Sequence, residues 1–409
     1  MARWLARNLG HRRSAAQRSE EVTRVKSRER VLAALAHREP DHVPLDIGGT
    51  DCSGITKGAY RNLARYLGLP EQTVVCDLMQ QLVCPSERLL ARLRVDVRAI
   101  YPKPPASLEI EVRDAGQYTT YIDEWGIEWA MPKENGLYYD MVSHPLATAE
   151  DVAQIDAYPW PWGGDPARAV ALRAEILAAR QASGAAICLL LGGGGVLEMA
   201  TFMRGMDNLY VDLASSPMLA EALLEHTTQW HLQYWDMVLS QVGDLVDVVC
   251  EYDDLGGQAA PIISPQMYRR YLKPRHRQVF SLIKRKTDAA IWFHTCGSVY
   301  DLLPDLLESG VDILNPVQVN AARMGDTARL KREFGQSLVF WGGGVDTQRV
   351  LSRGTPHEVQ DEVRRRIDDL APGGGYVFAP IHIIQPTVPP ENIVAFFGAA
   401  LRWGRYPIA

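Results

Sequence analysis

The chain has 409 residues, 47% of them hydrophobic and 22% charged, an ordinary globular composition that excludes disordered, collagenous and coiled-coil chains. Its 43 Lys and Arg against 49 Asp and Glu leave a net charge of −6, so there is no global basic field to hold a nucleic acid. The longest charge-free apolar and glycine run, Gly184 to Leu197, has 14 residues, where a membrane span needs about 20.

In chain order, residues 1–24 are polar, carry Arg3, Arg7, Arg12, Arg13 and Arg18, and lack an apolar centre. They read as a poorly ordered extension and not as a secretory signal. The remainder, 25–409, reads as one domain. Ser27 can cap a helix in which Val31, Leu32 and Leu35 recur at helical spacing. Eight apolar runs follow, at 43–47, 95–101, 186–191, 245–251, 289–293, 311–315, 338–341 and 375–379. Helical stretches at 166–182, 208–242, 265–285, 299–309, 326–334 and 356–370 separate the later ones. Runs that are apolar throughout mark parallel strands buried on both faces. Eight strands alternating with helices predict an α/β fold, a single (β/α)8 TIM barrel, with an open doubly wound sheet as the alternative. Residues 118–130 alternate around Gly126 and predict an antiparallel hairpin excursion between the second and third strands.

A barrel carries its chemistry at the carboxyl ends of its strands. There the sequence places Asp46, then Gly193 and Gly194, then Glu251 with Asp253 and Asp254. Next come His294 and Cys296, Asn315 and Gln318, Asp346, and His382. His294 and Cys296 are two residues apart at the end of a strand, so both face one side, and an imidazole beside a thiolate suits Zn2+. A buried cysteine next to an unrelated histidine reads the same way. His382 leaves an equivalent strand end three strands later and offers a third ligand. Asp253 and Asp254 read as a general acid/base and substrate anchor, or as helix caps. Asp46 and Asp346 carry the same double reading. Gly193 and Gly194 lack the Gly-Lys-Ser/Thr of a P-loop and suit close approach of backbone to a flat ligand, or a tight turn. Glu251, Asn315 and Gln318 complete the candidate substrate-binding set. The six cysteines include no CxxC pair and fit a reducing, cytoplasmic setting.

The carboxyl half resembles the uroporphyrinogen decarboxylase superfamily. The resemblance is carried by Phe293-His294-Thr295-Cys296-Gly297-Ser298, Gly310-Val311-Asp312-Ile313-Leu314-Asn315, Trp341-Gly342-Gly343-Gly344-Val345-Asp346-Thr347 and Pro389-Pro390-Glu391-Asn392-Ile393. It covers about residues 245–400 and implies the same single barrel. Decarboxylases of this superfamily use no metal and bind a tetrapyrrole through an R-Q-A-G-R segment after the first strand. Here residues 46–56 hold no arginine, and the next is Arg61, so the carboxylate arms would lack cationic partners. The other branch, the cobalamin-dependent methyltransferases, is similar in the H-x-C motif, which implies His294 and Cys296 as zinc ligands. Its third ligand is commonly a Cys just before the P-x-E-N helix, and this chain has His382 in that place. The resemblance implies a zinc-dependent methyltransferase that moves a methyl group between a small donor or acceptor and a corrinoid on a partner protein. The alternatives are a uroporphyrinogen decarboxylase, with Asp46 or Asp51 as its aspartate, and a non-catalytic corrinoid- or porphyrin-binding protein.

Overall fold

A computed structural model of the chain describes residues 25–408, so the extension expected over 1–24 lies outside the described residues. Two short strands, β1 (Val75–Asp77) and β2 (Leu82–Val83), pair antiparallel as a flap. The first regular barrel strand is β3 (Val97–Ile100). An antiparallel sheet follows: β4 (Arg113–Ala115), β5 (Tyr118–Ile122), β6 (Glu128–Pro132) and β7 (Asp140–Met141). The barrel then resumes with β8 (Ala186–Leu189), β9 (Val248–Tyr252), β10 (Ala290–His294), β11 (Ile313–Asn315), β12 (Val339–Trp341) and β13 (Tyr376–Val377). These last six pair in parallel with one another and, through β8, with β3, in the order β13-β12-β11-β10-β9-β8-β3. The curled sheet with its surrounding helices is a TIM-like barrel, as the eight apolar runs predict.

The first run behaves differently from the rest. Residues 43–47 make no regular ladder because Pro44 has no N–H to give. They still lie between the two ends of the sheet. Leu45 bridges Phe378 in parallel, Asp46 N–H donates to Phe378 O (2.9 Å), and Asp96 N–H donates to Leu45 O (2.9 Å). This segment therefore closes the ring. The predicted 208–242 helix is two helices, Met206–Ser215 and Pro217–Val242, because Pro217 can start a helix but cannot continue one. In the 265–285 stretch the turn Tyr268–Leu272 is a π-helix just ahead of Pro274, whose ring would clash with the carbonyl four residues back in a regular helix.

The predicted hairpin is the centre of the antiparallel sheet, with Tyr121 opposite Trp129. Asp123 ties its turn by accepting from the amides of Trp125 (2.9 Å) and Ile127 (3.0 Å) and from Trp129 Nε1 (2.8 Å). Glu124 pairs with the buried Arg168, and Trp125 packs on Trp230 of the long helix, so the excursion is fastened to the barrel wall. Inside, Val97, Ile187, Val249, Ile291, Phe293, Phe340 and Val377 are fully buried, each stabilising the fold by about 1.5–3 kcal/mol relative to exposure.

Candidate metal centre

The centre starts from β10. His294, its last residue, lies level with Tyr252 of β9 and Asn315 of β11, so three strand ends meet there. His294 Nδ1 is 2.6 Å from Asn315 Oδ1, and Asn315 Nδ2 donates to Trp341 O (2.8 Å). The second bond fixes the amide with its oxygen toward the imidazole. Nδ1 therefore carries the proton and Nε2 keeps its lone pair. That Nε2 is 3.3 Å from Cys296 Sγ and 3.6 Å from Asp254 Oδ1.

The turn beyond His294 is braced from both sides. Cys296 N–H donates to Asp254 Oδ1 (2.7 Å), and Thr295 Oγ1 accepts from Leu255 N–H (3.0 Å). Gln318 Oε1 accepts from Gly297 N–H (2.7 Å). Gly297 has φ +84°, and a Cβ there would sit 2.1 Å from Gly256 O, so only glycine fits.

The opposite wall comes from the loop after the ring-closing segment. Gly48 N–H donates to Ser53 O (2.9 Å), and the buried Thr50 and Ser53 bond each other. Ile55 then bridges Ile384: Ile384 N–H donates to Gly54 O (3.0 Å) and Thr56 N–H to Ile384 O (3.1 Å). This pairing delivers Cys52 and His382 together. The donor atoms of Cys52, His294 and His382 lie within 4.8 Å of one another, as do those of Asp254, His294 and Cys296. His294 belongs to both sets. The predicted trio of His294, Cys296 and His382 is thus gathered at one place but divided between two groups, and Cys52 joins it. Burial, then the neighbouring His294, lowers the His382 imidazole to about 4, so it is neutral at physiological pH. Burial, then Asp254 and Glu198, pushes the Cys296 thiol up, and burial with Asp51 does the same to Cys52.

Three more carboxylates face this region. Asp51 Oδ1 accepts from Tyr252 OH (2.8 Å) and Cys52 N–H (2.9 Å). Glu198 Oε2 accepts from Gly195 N–H (3.1 Å), and burial, then Asp254 and Asp253, raises its carboxyl well above the usual range. Asp77, on the β1–β2 flap, is raised to about 6 by burial and next by Asp51. Among the described residues, none of Asp51, Asp77, Glu198 and Asp254 forms an ion pair with Lys or Arg. Sequence reasoning did not pick out Glu198 or Asp77 and gave Cys52 no role. The signals were faint: a cysteine in a glycine-rich turn, and a glutamate at the third position of the Val196–Arg204 helix.

The other sequence candidates stand apart from this cluster. Asp253 is fully buried and accepts from the amides of Leu197 (3.0 Å) and Glu198 (2.8 Å) and lies 2.7 Å from His276 Nε2. It caps the Val196–Arg204 helix from another strand, since the residue at the helix start, Gly195, has no side chain to do so. A Cβ at Gly195 would lie 1.7 Å from Tyr252 O, which is why glycine is there. Glu251 alternates with Tyr252 on β9 and turns outward, bonded to His231 Nδ1 (3.1 Å) and Trp235 Nε1. Asp46 is buried, accepts from Gly49 N–H and Trp341 Nε1 (both 2.8 Å), and is raised to about 6 by burial. Asp346 caps the turn after β12 through the amides of Gln348 and Arg349. Gly193 is exposed, and Gly194 packs on Glu198 and Met199.

Comparison with known proteins completes the picture. A solved "methyltransferase from Methanosarcina mazei" superposes with a TM-score of 0.63 at 20% identity, covering 92% of this chain and 98% of that one. A likeness at that identity speaks to the fold alone. Curated relatives named "Uroporphyrinogen decarboxylase" include one from Trichlorobacter lovleyi, 25% identical over 207 residues (50% of this chain, 53% of that one). Another, from Geobacter sulfurreducens, is 25% identical over 275 residues (63% of this chain, 73% of that one). The chain spans about half the length of the Trichlorobacter relative. Residues 118–403, most of the barrel and all of β10 with its H-x-C turn, match the family described as "Uroporphyrinogen decarboxylase (URO-D)", and the chain belongs to that family.

Proposed function

We propose that the protein is a zinc-dependent methyltransferase that moves a methyl group between a small molecule and a corrinoid carried by a separate protein. The observation that carries this reading is His294: its tautomer is fixed by Asn315, so that Nε2 is presented to Cys296 and Asp254. Imidazole, thiolate and carboxylate donors form a set that suits zinc, and His294, Cys296 and His382 would hold it. When bound, zinc supplies Lewis acidity that activates a substrate thiol or polarises a methyl-bearing heteroatom.

The chain's own groups do the rest. Asp254 holds the Cys296 amide through Oδ1 and, partly exposed, offers Oδ2 to a substrate at the mouth. Glu198, held protonated by burial and by its acidic neighbours, can give its proton to a demethylated heteroatom. The Methanosarcina mazei methyltransferase, which shares the fold over nearly its whole length, supports the reading. A uroporphyrinogen decarboxylase is the second reading, favoured by the names of the curated relatives, with Asp51 beside Tyr252 as its aspartate. Against it, residues 46–56 hold no arginine, and none of the carboxylates facing the site pairs with Lys or Arg among the described residues, so a tetrapyrrole's acidic arms would lack cationic partners.

Two measurements on the purified full chain separate the readings. The methyltransferase reading expects about one zinc per chain and methyl exchange between methylcobalamin and small thiols, amines or methoxy compounds. Coproporphyrinogen formed from uroporphyrinogen at enzyme-like turnover by metal-free protein would overturn it.

A further inference from the structure

We propose that Cys52 is a ligand of the same metal, so that the centre takes two thiolates, one from each wall of the barrel mouth. This rests on the metal centre proposed above. Cys52 enters no sequence pattern for a metal site, yet its sulfur lies within 4.8 Å of donor atoms of both His294 and His382. Cys296, in the H-x-C turn, lies 3.3 Å from Nε2 of the shared His294, in the second donor group with Asp254.

Three features make Cys52 a built donor. Its loop is rigid, closed by the Gly48–Ser53 and Gly54–Asp51 backbone bonds and laddered to Ile384, two residues beyond His382. Cys52 itself is buried, at 6% exposure. Its charge fits: two thiolates with two neutral imidazoles would balance a divalent ion, and a substrate would then join as a fifth ligand. The Asp51 carboxylate adjoins Cys52 and accepts its backbone N–H (2.9 Å). When the sulfur–metal bond forms, the S–H bond breaks and the proton leaves by way of that carboxylate to solvent. No electron transfer is involved.

The test uses full-length protein stripped by a chelator and reloaded with Zn2+ or Cd2+, with sulfur ligands counted by X-ray absorption at the metal edge. Two sulfurs are expected in the unaltered protein, one in Cys52→Ser, one in Cys296→Ser and none in the double variant. Circular dichroism checks that each variant keeps its fold, and the count in the unaltered protein decides the matter even if Cys52→Ser does not fold. One sulfur in the unaltered protein, or a count unchanged by Cys52→Ser, overturns the ligand assignment and leaves a centre of His294, Cys296 and His382 standing. Failure of the unaltered protein to bind either metal overturns the centre itself and Cys52 with it.

Discussion

Asp253 and Asp254 are adjacent and chemically identical, and substituting them should give opposite phenotypes. Asp253 has three partners, the amides of Leu197 and Glu198 and the ring of His276, all in a fully buried setting. Leaving a buried donor unpaired costs about 1–3 kcal/mol. In Asp253→Asn, the cheaper amide orientation keeps the oxygen toward Leu197 and His276 and faces only the Glu198 amide with an NH2 group. One unpaired donor gives about 1–3 kcal/mol. Asp253→Ala strips all three partners and removes the helix cap, so its cost is about 3 kcal/mol or more. Unfolding entropy of about 2 cal/mol/K per residue over a barrel of this size turns those losses into Tm drops of about 1–4 °C and about 4 °C or more. Asp254 is partly exposed, and Asp254→Asn can keep its oxygen on the Cys296 amide. Its Tm should move by less than about 1 °C while methyl transfer falls by roughly 10–100-fold, the worth of a lost hydrogen bond from a charged group to the substrate. Differential scanning fluorimetry and a methylcobalamin assay on the same samples read both quantities. An Asp253→Ala protein that melts with the unaltered one yet has lost its activity would refute the capping role and return Asp253 to the chemistry.

Asn315→Leu removes the acceptor that fixes the His294 tautomer, and zinc affinity should fall about 10–100-fold, measured by competition with a chromophoric chelator; Asn315→Asp keeps an acceptor and should bind at least as well as the unaltered protein. Asp77 gives a pH-dependent prediction. Its folded value, about 6, lies above the 3.8 of an unfolded aspartate, so its ionisation penalises the fold increasingly as pH rises through 6. Asp77→Asn keeps the acceptor for Gln80 N–H and removes the penalty. Its stability relative to the unaltered protein should therefore improve by about 1–2 kcal/mol between pH 5 and pH 8 in urea titrations, and a difference that does not change with pH would count against the buried-carboxyl reading.

The legible parts of the molecule are those governed by one repeating rule. Residues 289–293 are apolar throughout because β10 is buried on both faces, and the polar letters that follow had to lie at its carboxyl end. The same logic located Asn315 and His382. Pro44 shows the limit of the rule: the run around it reads as a strand, but the missing amide leaves a ring-closing segment and not a ladder. Glu251 faces His231 and Trp235 on the outer side for a reason the sequence does contain. Alternation puts it on the face opposite Tyr252, but which face points inward needs one residue already placed. Asp51, Asp77 and Glu198 were harder, because they arrive on a turn, a flap and the first turn of a helix, where no period relates side-chain direction to the barrel axis. Only the closed ring brings them level with His294.

The pairing of Gly54 and Thr56 with Ile384 joins stretches 328 residues apart at the Thr56–Ile384 contact. It orders events during biosynthesis. A growing chain that has emerged through β10 already owns His294 and Cys296, but His382 is still to be made and the loop of residues 48–56 has nothing to lean on. Asp254, His294 and Cys296 are all present once β10 has formed, whereas Cys52 and His382 join them only when the last segment docks against the first. The proposed centre would therefore be complete only at ring closure, with the half of it on β10 made first and the half on the opposite wall made last.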